Sequence, residues 1–76
     1  MPNEPTYGKK AVDLSFNPSG DDEVTNIKKL YAKIIDRCAK LREQSGPGEK
    51  RRLLSVAITE AQTAQMWAVT GVTWND

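Results

Sequence analysis

Arg51-Arg52-Leu53-Leu54-Ser55-Val56-Ala57-Ile58-Thr59-Glu60-Ala61-Gln62-Thr63-Ala64-Gln65-Met66-Trp67-Ala68-Val69-Thr70-Gly71-Val72 is the stretch that decides how this chain folds. Wound at 3.6 residues per turn, its apolar side chains leave no clean polar side. A helix apolar most of the way round has to be covered by several neighbours. A chain of 76 residues cannot supply them all, so the expectation is an oligomer with any working site near a subunit boundary. A small-residue row, Leu54, Ala57, Ala61, Ala64 and Ala68, steps by three and four and predicts close approach of one partner helix.

Upstream, Ser45-Gly46-Pro47-Gly48 breaks the chain. Gly46 suits a left-handed helix cap and Pro47 cannot continue a helix. A break this short joins antiparallel neighbours. The preceding segment predicts a helix starting at Asp21 or Asp22, where either aspartate caps free N–H groups and the acidic run favours the positive helix end. Val24, Ile27, Tyr31, Ile34, Cys38 and Leu41 then follow a heptad seam, widened by Leu30 and Ile35. Lys28, Lys29, Lys33, Asp36, Arg37 and Lys40 fall on the opposite face, read as solvated.

Residues 1–20 read as an irregular arm, and 21–76 as a single helical-hairpin domain. Pro2, Pro5, Gly8, Pro18 and Gly20 interrupt any long element. Ala11 to Phe16 alternates apolar and polar, an extended-like pattern, and Phe16-Asn17-Pro18-Ser19-Gly20 is a turn sequence. The fold class expected is all-α: an antiparallel hairpin with an irregular N-terminal arm, assembled symmetrically.

Composition narrows the chemistry. One cysteine and no histidine rule out an intramolecular disulfide and the usual zinc sets. A domain this small without staples falls back on oligomerisation for stability. A lone thiol fits a reducing compartment. No charged start precedes an apolar run, so no secretion signal is expected, and no apolar run approaches the roughly 20 residues of a membrane span. Eleven Lys and Arg against ten Asp and Glu do not make the basic field that sequence-independent duplex binding needs.

The residues favour binding over catalysis, and no enzyme activity, metal or cofactor is expected. No histidine is present to act as a base near neutral pH. Cys38 lies on the seam as a small hydrophobe, Glu60 is expected to pair with a basic residue on a neighbour, and Trp67 to pack. Trp74 suits a subunit contact. Tyr7 beside Lys9 and Lys10, and Phe16 beside Asn17, place rings and cations on the arm, where rings stack bases and ammonium groups meet phosphates. The same residues also read as a mobile arm with Phe16 tucked under the hairpin. Lys28 and Lys29 near the first helix start, and Arg51-Arg52 at the second, suit an anion. An antiparallel hairpin puts Arg51 and Arg52 at the far end, reaching the same ligand only from another subunit.

Arg52 to Val69 resembles the second-helix signature of the phage hairpin-domain proteins that antagonise CBASS and Thoeris immunity. That signature is an arginine, a Ser-x-Ala-x-Thr step, an acidic or amide residue, and Ala-x-Met-Trp-Ala-Val. Phe16-Asn17-Pro18-Ser19-Gly20 and Val24-x-x-Ile27-Lys28 resemble the family members that carry such an arm, so the likeness spans about residues 11 to 74. It implies a sponge that sequesters cyclic di- and trinucleotide messengers, such as 3′,3′-cyclic GMP–AMP, in the host cytoplasm without cleaving them. It also implies a homohexamer with pockets between protomers. By resemblance, Tyr7 or Phe16 stacks a base, Lys28 or Lys10 meets phosphate, and Arg52 or Arg51 lines a further pocket. A protein–protein adaptor using the spare apolar face is the alternative, and a helical nucleic-acid regulator a weaker one.

Overall fold

The computed structural model describes residues 4–75; Met1 to Asn3 and Asp76, the outer ends of the arm and hairpin, lie outside the described residues. It is all-helical there: α1 (Tyr7–Ala11), α2 (Asp22–Gln44) and α3 (Glu49–Val72). Asp21 caps α2, its carboxylate accepting the Glu23 N–H at 2.8 Å. Asn17 braces the turn before it. Its amide donates to the Asp21 carbonyl and to Thr25 Oγ1, and its carbonyl oxygen accepts from Ser19 Oγ.

The expected left-handed cap at Gly46 is not the device that ends α2. Ser45 is the cap, in an extended conformation, with its hydroxyl donating to the Leu41 carbonyl at 2.8 Å. The glycine-requiring conformation falls instead at Gly48, φ 146°, immediately before α3. A serine that satisfies an orphan carbonyl with its own side chain removes the need for the left-handed residue at that end.

α2 and α3 run antiparallel. Arg42 donates to Ser55 Oγ near the connection, and Val24 and Val69 line one concavity at the opposite end. The inward row of α2 is Val24, Lys28, Ala32 and Ile35, so the predicted heptad seam is rotated. Val24 holds, Tyr31 and Cys38 sit at the core edge, and Leu30, Ile34 and Leu41 are exposed. The physical reason is that α2 has two neighbours, α3 and the arm, which share one core with it. On α3, Ile58 and Gln65 are buried with Ala61 beside the core, while Ala57 of the predicted small-residue row faces out.

The arm is the largest departure from expectation. Ala11 to Phe16 is not extended: it is the end of α1 followed by turns. Thr6 caps α1 by accepting the Lys9 N–H. At its other end the N–H groups of Asp13 and Leu14 return to the carbonyls of Lys10 and Lys9, with Asp13 left-handed at φ 52°. That is the paired-bond helix ending normally built on glycine. The arm supplies Val12, only 2% exposed, to a core otherwise made of Ala32, Ile35 and Ile58.

The Cα trace spans 45 × 33 × 12 Å, little more than one layer of helices. Both broad faces therefore meet solvent. Leu53, Val56 and Trp67 lie on the side of α3 turned away from Ile58 and Gln65, and Trp67 is 72% exposed. The packing expected of Trp67 does not occur within the chain, because the layer has nothing on that side. Trp74 is also exposed. Glu60 is exposed, and the one ion pair among the described residues is Arg52–Glu49.

Candidate functional site

Lys28 organises the junction of arm and hairpin. It sits on α2 only four residues after Val24, on the inward row rather than the solvated face expected for it, and is 5% exposed. A buried ammonium must be hydrogen-bonded, and the arm supplies the acceptors. Nζ donates to the Asp13 carbonyl at 3.0 Å and the Phe16 carbonyl at 2.5 Å, and lies 5.7 Å from the centre of the Phe16 ring. The left-handed Asp13 is what turns its carbonyl toward Lys28. An ammonium has three hydrogens, so one remains beyond these two carbonyls.

Phe16, 60% exposed, divides two concavities. One, of about 380 Å³, lies between the arm and α3 and is lined by Val12, Phe16, Lys28, Gln62, Gln65 and Met66 among others. The other, about 210 Å³, includes Asn17, Val24, Lys28 and Val69 in its walls. Gln62 closes the back of the larger one by donating from Nε2 to the Ala11 carbonyl at 3.3 Å. The walls are apolar and aromatic with a few polar groups, the usual make-up of a small-molecule site.

Of the residues singled out from the sequence, the fold brings Phe16, Asn17 and Lys28 together here. Asn17 directs its amide into its own turn. Lys10 lines a separate concavity of about 270 Å³ with Pro5, Lys9, Asp13 and Leu14. Tyr7 starts α1, and its ring lies 5.8 Å from the Arg42 guanidinium. The two arm aromatics therefore serve different places, one at each end of the arm.

Arg51 and Arg52 lie at the connection end of α3. Gln65 is thirteen residues beyond Arg52, roughly 20 Å along the axis at about 1.5 Å per residue. Arg52 forks onto the Glu49 carboxylate at 2.6 and 2.8 Å. That contact holds Glu49 below the ordinary carboxylate value and Arg52 above the ordinary guanidinium value. Both groups are exposed, so the pair adds little stability. Arg51 reaches back to the Ser45 carbonyl at 3.4 Å.

Four residues that matter here had no site role assigned from the sequence: Gly8, Asp36, Gln62 and Gln65. Gly8 donates its N–H to Asp36 Oδ1 at 2.6 Å, which docks α1 on α2. Gln62 and Gln65 stand three apart on the inward row with Ile58. Two amides on an otherwise apolar inward row were the available signal.

Neither the curated proteins nor the solved structures contain a match to the chain. The family profile of the Acb2/Tad1 hairpin domain matches residues 9–73, taking in α1 from Lys9, the turn, Lys28 and the whole of both long helices. The chain therefore belongs to the Acb2/Tad1 hairpin-domain family, and that membership supports a general role in phage anti-defence through cyclic-nucleotide sequestration.

Proposed function

We propose that this protein binds cyclic di- and trinucleotides, 3′,3′-cyclic GMP–AMP among them, and holds them uncleaved in the host cytoplasm, as a symmetric assembly such as a hexamer. The observation that carries the reading is the family match over residues 9–73. The groove between arm and α3 supports a site there. Phe16 offers a stacking face, and the remaining Lys28 hydrogen offers a contact for phosphate. No helix among the described residues is long and apolar enough to cross a membrane, which is compatible with that compartment.

The assembly is supported by what the layer leaves uncovered. Leu53, Val56 and Trp67 on α3, with Leu30, Ile34 and Leu41 on α2, are large apolar side chains in solvent. Patches of this kind mark interaction surfaces. A second copy laid on α3 would supply the missing neighbour, and Arg51 and Arg52 of one subunit could then approach the groove of another. Trp67→Glu is expected to convert the assembly to monomers in sedimentation velocity while helix content by circular dichroism stays near that of the unaltered chain. An unchanged sedimentation coefficient would place the interface elsewhere.

Calorimetric titration with 3′,3′-cyclic GMP–AMP, followed by heating the complex and analysing the released nucleotide, tests sequestration directly. Nanomolar binding, equivalent to about 12 kcal/mol, with intact nucleotide recovered is the expected result. Cleaved product would make the protein an enzyme. Absence of binding to this ligand and to a cyclic triadenylate would favour the adaptor role, for which the same exposed apolar face would be the docking surface.

A further inference from the structure

Among the side chains that line the larger groove, Gln65 is the buried polar one left without a partner. It is 5% exposed, and its amide takes part in none of the hydrogen bonds among the described residues, whereas Gln62 beside it is engaged with Ala11. No fully enclosed side-chain nitrogen or oxygen there lacks a partner, so both ends of the Gln65 amide must keep a sliver of access. The groove it lines with Phe16, Lys28 and Met66 provides that access. A buried amide with donor and acceptor both free is costly unless something completes it.

We propose that Gln65 reads the base of the bound cyclic nucleotide and selects adenine, a role that rests on the sequestration function proposed above. The chemistry follows from what the groove offers. Adenine presents a donor and an acceptor side by side, the N6 amino group and N7, and an amide matches both in one bidentate contact. Guanine presents two acceptors along the same edge, N7 and O6, which an amide meets with one match and one clash of acceptors. Guanine would call for a free Arg or Lys, and the Lys28 ammonium is already bonded to two arm carbonyls. Phe16 and Met66 supply an aromatic face and a polarisable thioether against which a flat base can lie. The sequestering site thus has a stacking wall, a phosphate contact and a base-reading amide on three separate elements: the arm, α2 and α3.

Equilibrium titrations with cyclic diadenylate and cyclic diguanylate, and with cyclic diadenylate in which each adenine is replaced by 7-deazaadenine, test this. The unaltered protein is expected to bind the diadenylate at least about 5-fold more tightly than its 7-deaza analogue, the lower end of the range for a bidentate base contact because the analogue loses only the N7 half of it, and more tightly than the diguanylate. In Gln65→Met, which keeps length and removes the amide, the diadenylate should bind no more tightly than the analogue does to the same variant, and the base preference should vanish. The analogue comparison on the unaltered protein needs no variant, so a folding defect in Gln65→Met does not weaken the test. Equal binding of the diadenylate and its 7-deaza analogue, or of diadenylate and diguanylate, overturns the role of Gln65 and leaves sequestration standing. No binding of any of them overturns the role of Gln65, and overturns sequestration too if 3′,3′-cyclic GMP–AMP and a cyclic triadenylate run alongside also fail to bind.

Discussion

Gly8→Ala is expected to lower the melting temperature by roughly 10–20 °C at fixed protein concentration and to release the arm. A Cβ at residue 8 would fall onto the Ala32 carbonyl oxygen and within 2.8 Å of Asp36 Oδ1. The obstacle on the α2 side is backbone, which cannot rotate away. The arm must lift, and lifting it breaks the Gly8 N–H···Asp36 bond, a charge-assisted contact worth about 1.5–3 kcal/mol. Overpacking of this kind alone costs about 1–3 kcal/mol. A net loss of about 2–3 kcal/mol in a domain of this length corresponds to the stated shift, at about 4–8 °C per kcal/mol. Hydrogen exchange should show α1 amides unprotected while the α2 and α3 centres stay protected. Gly71→Ala is the control, since nothing lies near its Cβ and alanine favours a helix over glycine. It should melt at or above the unaltered temperature. Equal melting of both variants would show that α1 is not docked through Gly8.

Lys28→Met is expected to cost about 2–4 kcal/mol of stability before any ligand is added. The substitution keeps the buried stem and removes the ammonium. That leaves the Asp13 and Phe16 carbonyls without their donor and ends the cation–ring contact with Phe16. Hydrogen bonds to a charged group are worth about 1.5–3 kcal/mol each and the ring contact about 0.5–1 kcal/mol. The sum is discounted because water can reach the freed carbonyls once the turn loosens. Affinity for cyclic nucleotides should fall as well, through two routes: Phe16 loses its fixed position as the wall of both concavities, and the third ammonium hydrogen is lost. Melting the ligand-free protein separates the routes. An unchanged ligand-free melting temperature with weakened binding would make Lys28 a phosphate contact only, and the strut between arm and α2 would be disproved.

Much of the hairpin was legible from residue order. The bounds of α2 and α3 follow from Asp21, the Ser45–Gly48 break and the long apolar periodicity, and those signals are local. The excess of apolar surface on α3 was equally plain, and Leu53, Val56 and Trp67 stand in solvent as that excess requires. The short helix of the arm was not legible. Five residues are far too few to be helical on their own account; α1 exists because Asp36 binds its first turn and the Ala32 carbonyl leaves room only for a glycine.

The candidate site was legible in its residue types and not in its grouping. Phe16 and Lys28 stood out as a ring and a cation, twelve positions apart. Nothing in their order told that the cation would be buried beneath the ring with its hydrogens on the arm's carbonyls. A lysine among Lys29, Lys33 and Lys40 has the pattern of a solvated face. Its burial depends on the Asp13 turn, where a residue with positive φ points a carbonyl at α2.

By itself, then, the order of residues determined two long antiparallel helices, their ends, and an apolar surplus that one chain cannot cover, because caps, breaks and periodicity act over one or two turns. The tertiary structure alone decided which face of α2 turns inward, that the arm docks as a helix, and that Phe16, Lys28 and Gln65 share one groove. Those three come from the arm, α2 and α3, and their meeting depends on packing and on buried polar groups finding partners across the fold, which no local pattern encodes.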